Sequence, residues 1–83
     1  MRTLEVPKEV VKFAERWATA FTIRHPRWRK DKHERDIWYS YRGYDLNLYA
    51  CEGDLSITAY LEVKQDNGDI MTDTSTYKTI ARR

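Results

Sequence analysis

The sequence predicts an α+β fold, with one N-terminal amphipathic helix packed on a four-stranded antiparallel β-meander. Three observations carry this. Apolar residues recur at helical spacing from Val6 to Phe21. From Asp36 onward the apolar period changes to two. The dipeptides Arg42-Gly43, Glu52-Gly53 and Asn67-Gly68 divide that alternating stretch into runs of strand length.

The helix comes first. Val6, Val10, Phe13, Trp17 and Ala20 form an apolar stripe that Ala14 and Phe21 widen, and Lys8, Glu9, Lys12, Glu15, Arg16 and Thr19 fill the opposite face. Pro7 suits the first helical position, where no N–H is needed, and Glu9 complements the positive end of the helix dipole. Pro26 disfavours the α conformation at His25, so the helix should end near Ile23 or Arg24. Residues 2–6 alternate weakly and suggest a short strand before the helix. Residues 25–35 form a polar connection without apolar period, in which Trp28 reads as a lid over one end of the core.

The strands follow. Ile37, Tyr39 and Tyr41 alternate with Trp38, Ser40 and Arg42; Tyr44, Leu46, Leu48 and Ala50 alternate with Asp45, Asn47, Tyr49 and Cys51; Leu55, Ile57, Ala59, Leu61 and Val63 alternate with Ser56, Thr58, Tyr60, Glu62 and Lys64. If Arg42-Gly43 and Glu52-Gly53 are two-residue turns, Ile37 faces Leu48, Tyr39 faces Leu46, Leu48 faces Ile57 and Leu46 faces Ala59, so every apolar set falls on one face. The last strand, residues 70–80, admits two registers. A two-residue Asn67-Gly68 turn sends Thr72, Thr74 and Thr76 inward and sets Asp73 opposite Glu62; a three-residue loop with a bulge turns Met71 and Tyr77 inward. The expected core is Val10, Phe13, Trp17, Leu46, Leu48, Ile57, Ala59 and Leu61.

Length and composition bound the rest. The 83 residues hold a single α+β domain, 1–83, and 13% aromatic content argues against disorder. One cysteine, Cys51, allows no internal disulfide, and the acidic turn beside it disfavours a thiolate. There is no membrane-length apolar run and no signal-peptide core after Met1, so the expected location is cytoplasmic, away from membranes. No phosphate-binding loop, HExxH, CxxC or EF-hand loop is present. His25 and His33 lack the partners a structural zinc requires, so no metal and no cofactor is expected. Asp31, Glu34 and Asp36, interleaved with Lys and Arg, read as a solvated ion-pair network. With no nucleophile–base pair, the chain reads as non-enzymatic.

The net charge of +2 conceals two halves. Residues 24–42 carry seven basic and three acidic side chains, net +4; residues 43–81 carry two basic and seven acidic, net −5. Such a layout steers association with charged partners. The favoured reading is a protein-binding domain whose site is the outward sheet face: Trp38, Tyr49 and Tyr60 as aromatic anchors, rimmed by Asp45, Glu62 and Asp73. The alternative is a nucleic-acid-binding module using Arg24, Arg27, Trp28, Arg29, Lys30 and Arg42, where cations interleave with a ring. The open sheet face would also serve a homodimer.

One helix followed by an antiparallel meander resembles the cystatin-like arrangement in outline, but no QxVxG inhibitory loop is present, so protease inhibition is not implied. In size, charge layout and architecture the chain resembles small phage or mobile-element proteins of the anti-CRISPR type. That resemblance implies a small inhibitor or adaptor, without cofactor, that blocks a nucleic-acid-handling protein or complex.

Overall fold

The alternating half of the chain forms an open antiparallel sheet, and the helical half lies across one of its faces. The computed structural model describes residues 2–83, with side chains from Leu4 onward. In chain order the elements are β1 (Arg2–Thr3), α1 (Lys8–Arg24), β2 (Arg35–Tyr41), β3 (Tyr44–Cys51), β4 (Asp54–Lys64) and β5 (Ile70–Arg82). The sheet order is β1-β5-β4-β3-β2. Strands β2 to β5 make the predicted meander. The short N-terminal strand exists and pairs in parallel with β5, Arg2 beside Thr76 and Thr3 beside Tyr77. The helix therefore carries the chain from one edge of the sheet to the other.

The two central turns set the register as the sequence predicts. Arg42 and Gly43 have φ of 50° and 84°, Glu52 and Gly53 of 50° and 89°. Positive φ at both central positions is the type I′ geometry, whose twist matches that of the flanking strands. Ile37 pairs with Leu48, Tyr39 with Leu46, Leu48 with Ile57 and Leu46 with Ala59. The even-numbered residues of β2 and the odd-numbered residues of β3 consequently share the face away from the helix.

The last strand follows the three-residue alternative at its turn. Gln65 N–H donates to the Asp69 carbonyl at 2.7 Å, and Gly68 takes φ of 90°. Met71 then pairs with Val63 on the helix side. Tyr77, expected inward, instead pairs with Tyr60 on the outer face, because an irregularity between Asp73 and Tyr77 resets the register. A second shift leaves Ile80 buried between the pairs Thr58–Thr79 and Ile57–Ala81.

The core is built around small helix residues. Val10, Ala14, Ala18 and Phe21 are the buried positions of α1, which lies over β5 and β4. Val10, Leu46, Leu48, Ile57 and Ala59 are fully buried as expected. Phe13, Trp17 and Leu61 are not: they are only partly buried, and Ala20 is exposed. The buried stripe is rotated from the predicted one because a helix approaches a sheet closest where its side chains are smallest. Ala14 and Ala18 take the contact line, and the large rings are displaced toward β2. There Phe13 stacks on Tyr41 and Tyr39, with centroids at 4.1 and 5.4 Å, and Trp17 tilts against Tyr39 at 6.1 Å. Burial of a Leu or Ile side chain contributes about 1.5–3 kcal/mol over exposure, so Leu46, Leu48, Leu55 and Ile57 dominate the ledger.

The helix starts after Pro7 rather than at it, and ends as predicted, the His25 N–H closing on the Phe21 carbonyl at 2.9 Å. Trp28 is the expected lid: it is buried, and a short turn over residues 26–30 holds it. The Arg29 carbonyl lies 3.7 Å from where a Cβ on Gly53 would sit, so the lid closes the end of the sheet that carries the β3–β4 turn. At that end Arg83 bonds Leu55 through its backbone and reaches Glu15 Oε2 at 2.9 Å and Thr19 Oγ1 at 3.2 Å.

Candidate interaction face

The sheet face opposite the helix presents an aromatic row. Trp38 on β2 meets Tyr60 on β4 at 5.5 Å between centroids, and Tyr60 meets Tyr77 on β5 at 6.2 Å. The row crosses above β3 at the smaller Asp45 and Asn47, which pair with Tyr60 and Trp38. A row of touching rings loses little side-chain entropy on binding, since each ring is already held by its neighbour.

Carboxylates surround the row, each tied to another strand of the sheet. Asn47 Nδ2 donates to Asp36 Oδ1, the Ser40 hydroxyl to Glu62 Oε2 at 2.8 Å, and the Thr72 hydroxyl to Asp45 Oδ2. Thr58 and Thr79 join β4 to β5 on the same face, at 3.2 Å between hydroxyls. Partial desolvation, then the Asp45 carboxylate beside it, push the Glu62 carboxyl above the usual range, against the Ser40 bond that favours its charge. The chemistry on offer is recognition of cations and of apolar surface. Among the described residues no group of His, Cys, Asp and Glu is arranged to hold a metal ion.

The structure brings Trp38, Asp45, Tyr60 and Glu62 together. Tyr49 lies on the same face beyond them, opposite Asp36 and Ser56, its phenol pushed up by desolvation and then by the Glu34 charge. Asp73 sits apart. It pairs with Leu61, a helix-side position, and its carboxylate caps the irregularity of β5 by accepting from the Ser75 N–H at 3.0 Å and from the Ser75 hydroxyl. Those bonds, the hydroxyl's first, hold it below the usual carboxylate range. Two members of the face escaped sequence reasoning. Asp36 was legible, since it shares the parity of Trp38. Tyr77 was not, because its direction depends on an irregularity that alternation does not reveal.

Comparison with known protein families, with curated proteins and with solved structures finds no match. The functional reading therefore rests on this geometry.

Four of the predicted basic residues gather at the end of the helix, but Trp28 and Arg42 do not join them in one binding site. Arg27, Arg29 and Lys30 line one open hollow with Pro26 and Asp31, and Arg24 lines an adjoining one. Trp28 is buried beneath the Arg29 guanidinium, 4.6 Å from its ring centroid, and is closed to a stacking base. Arg42 lies near the other end of the helix, 3.8 Å from Glu9 and stacked on Tyr41. A helix of 17 residues, roughly 25 Å long, separates that end from Arg24. Among the described residues no helix is long and apolar enough to cross a membrane.

Proposed function

We propose that this chain is a non-enzymatic, protein-binding inhibitor or adaptor that engages a basic surface on its partner through the outer sheet face. The observation that carries the reading is the contact row Trp38–Tyr60–Tyr77 on an uncovered face, set among Asp36, Asp45 and Glu62. Aromatic anchors give an interface its slow dissociation, and a charged rim gives it speed and selectivity of encounter. A partner that handles nucleic acid offers the matching basic groove, in keeping with the anti-CRISPR type of inhibitor. The nucleic-acid-binding alternative loses its stacking residue to the core and Arg42 to the far end of the molecule.

The test is affinity capture from the native host with the wild-type chain, Trp38→Ala and Tyr60→Ala, followed by kinetics on the protein retained. The ring variants should speed dissociation at least tenfold, and Asp45→Lys should slow association, more so at low salt. Unchanged kinetics in all three would reject this face. Binding of plain DNA or RNA that disappears on charge reversal at Arg27, Arg29 and Lys30 would establish the alternative.

A further inference from the structure

Strand β2 is one edge of the sheet, and most of it stays exposed although rings of the helix touch Tyr39 and Tyr41. Six of its seven residues are exposed, including Ile37 at 42%, Trp38 at 50% and Tyr39 at 50%. The helix backbone lies over β5 and β4, and Phe13 and Trp17 reach β2 through ring contacts with Tyr39 and Tyr41, leaving Ile37 exposed. Its backbone is open as well. The type I′ turn makes Tyr41–Tyr44 a hydrogen-bonded pair, so Arg35, Ile37, Tyr39 and Tyr41 spend their amides and carbonyls on β3. Asp36, Trp38 and Ser40 direct theirs out of the sheet, and no backbone partner meets them among the described residues. Sheet proteins protect such edges with proline, bulges, charged side chains or a covering loop; β2 has no proline, lysine or register shift, and its two charges, Arg35 and Asp36, sit together at its start.

We propose that a second copy of this chain covers the edge, β2 pairing antiparallel with its two-fold mate about Trp38. The symmetric register is selected by the backbone. Centred on Trp38, it joins Asp36 to Ser40 of the mate, Trp38 to Trp38 and Ser40 to Asp36, so that six hydrogen bonds form within the strand limits. Centring on Ile37 or Tyr39 instead drives the outward groups onto residue 34 or 42, outside the strand. The side chains agree with the same choice. On the helix side Ile37 falls opposite Tyr39 of the mate, covering the flank that Phe13 leaves open. Just beyond the strand ends Glu34 falls opposite Arg42, whose guanidinium rests on Tyr41 and makes a loose ion pair with Glu9 at 3.8 Å. No like charges face each other, whereas centring on Ile37 would oppose Lys32 and Arg42. Both helices end on one side of a continuous sheet, and the two aromatic rows meet at the axis. This association stands independently of the function proposed above.

A seven-residue edge buries less than the roughly 1,200–2,000 Å² of a standard stable interface. The dimer should therefore be reversible, with Kd on the order of 10 μM. Sedimentation equilibrium on the whole chain should show the mass rising from 10.0 kDa toward twice that value as concentration increases. Hydrogen exchange followed by NMR across the same range should show the Asp36, Trp38 and Ser40 amides gaining protection together. Ser40→Pro removes an outward N–H without costing a β2–β3 bond, and Trp38→Lys puts two charges on the axis; each should weaken association at least tenfold while circular dichroism shows an intact fold. A mass that stays monomeric up to about 1 mM overturns the proposal. So does a dimer in which those three amides keep exchanging at the monomer rate, because its interface is then elsewhere.

Discussion

Glu62 sets the pH response of the outer face. Its carboxyl is raised by desolvation and by Asp45, so folding disfavours its ionised form. The sign follows from linkage. Stability from such a group is fully present below the unfolded value of about 4.3 and is lost as pH rises through the folded value. Asp31 and Asp73 run the other way. The His33 N–H, and then Arg35, hold Asp31 low, as the Ser75 hydroxyl and N–H hold Asp73, and their contribution is lost as pH falls. Glu62→Gln isolates the first effect. It keeps an acceptor for the Ser40 hydroxyl and gains a donor toward Asp45. The expected outcome by differential scanning calorimetry is a Tm above wild type at pH 7, by about 1–2 °C given solvent screening of a surface pair, and no difference at pH 4. A gain that persists at pH 4 would mean that packing, not charge, is responsible.

At the scale of elements, the helix–sheet contact and the turns each make a prediction. Ala14 and Ala18 are fully buried, while Ala20 is exposed. Ala18→Leu should overpack the contact and cost about 1–3 kcal/mol, whereas Ala20→Leu should stay within about 0.5 kcal/mol. Urea midpoints on the two variants measure this, and the reverse order would restore the stripe that periodicity suggests. That stripe was misread for a physical reason. Periodicity locates a face to within one residue, and ranking by hydrophobicity puts the heaviest side chains at its centre, where close packing wants the lightest. The hairpins were legible because two turns and three strands had to agree, and a slip of one residue would have reversed every side chain. Strand β5 has no such check: its threonines suit either face, and two register shifts divide it. Glu52 holds a left-handed conformation that costs a residue with a Cβ about 1–2 kcal/mol. Glu52→Asn, which produces the Asn-Gly pair favoured in type I′ turns, should therefore stabilise by about 0.5–1 kcal/mol in the same urea assay.

At the scale of the whole molecule, the charge halves seen in the sequence become two surfaces. The acids of β2 to β4 line the outer sheet face, and Arg24, Arg27, Arg29 and Lys30 gather where the helix gives way to the connection. The sequence separated these halves correctly along the chain, but a linear tally counts Arg42 with the basic group although the meander carries it to the opposite end. It also assigns Asp36 to the basic half although it faces Asn47 among the acids. The three tryptophans occupy three different settings in this layout: Trp28 is closed in the core, Trp17 is half covered on the helix, and Trp38 stands exposed among carboxylates. Their fluorescence therefore carries position. Subtracting the emission of a Trp38→Phe variant from that of the wild type leaves the Trp38 signal, which red-edge wavelength and quenching by neutral acrylamide should mark as solvent-open. Caesium should quench that signal more strongly than iodide, because the local field concentrates cations, and the preference should fade as salt is added. Equal quenching by the two ions would show that the face has no acidic field for a partner to read.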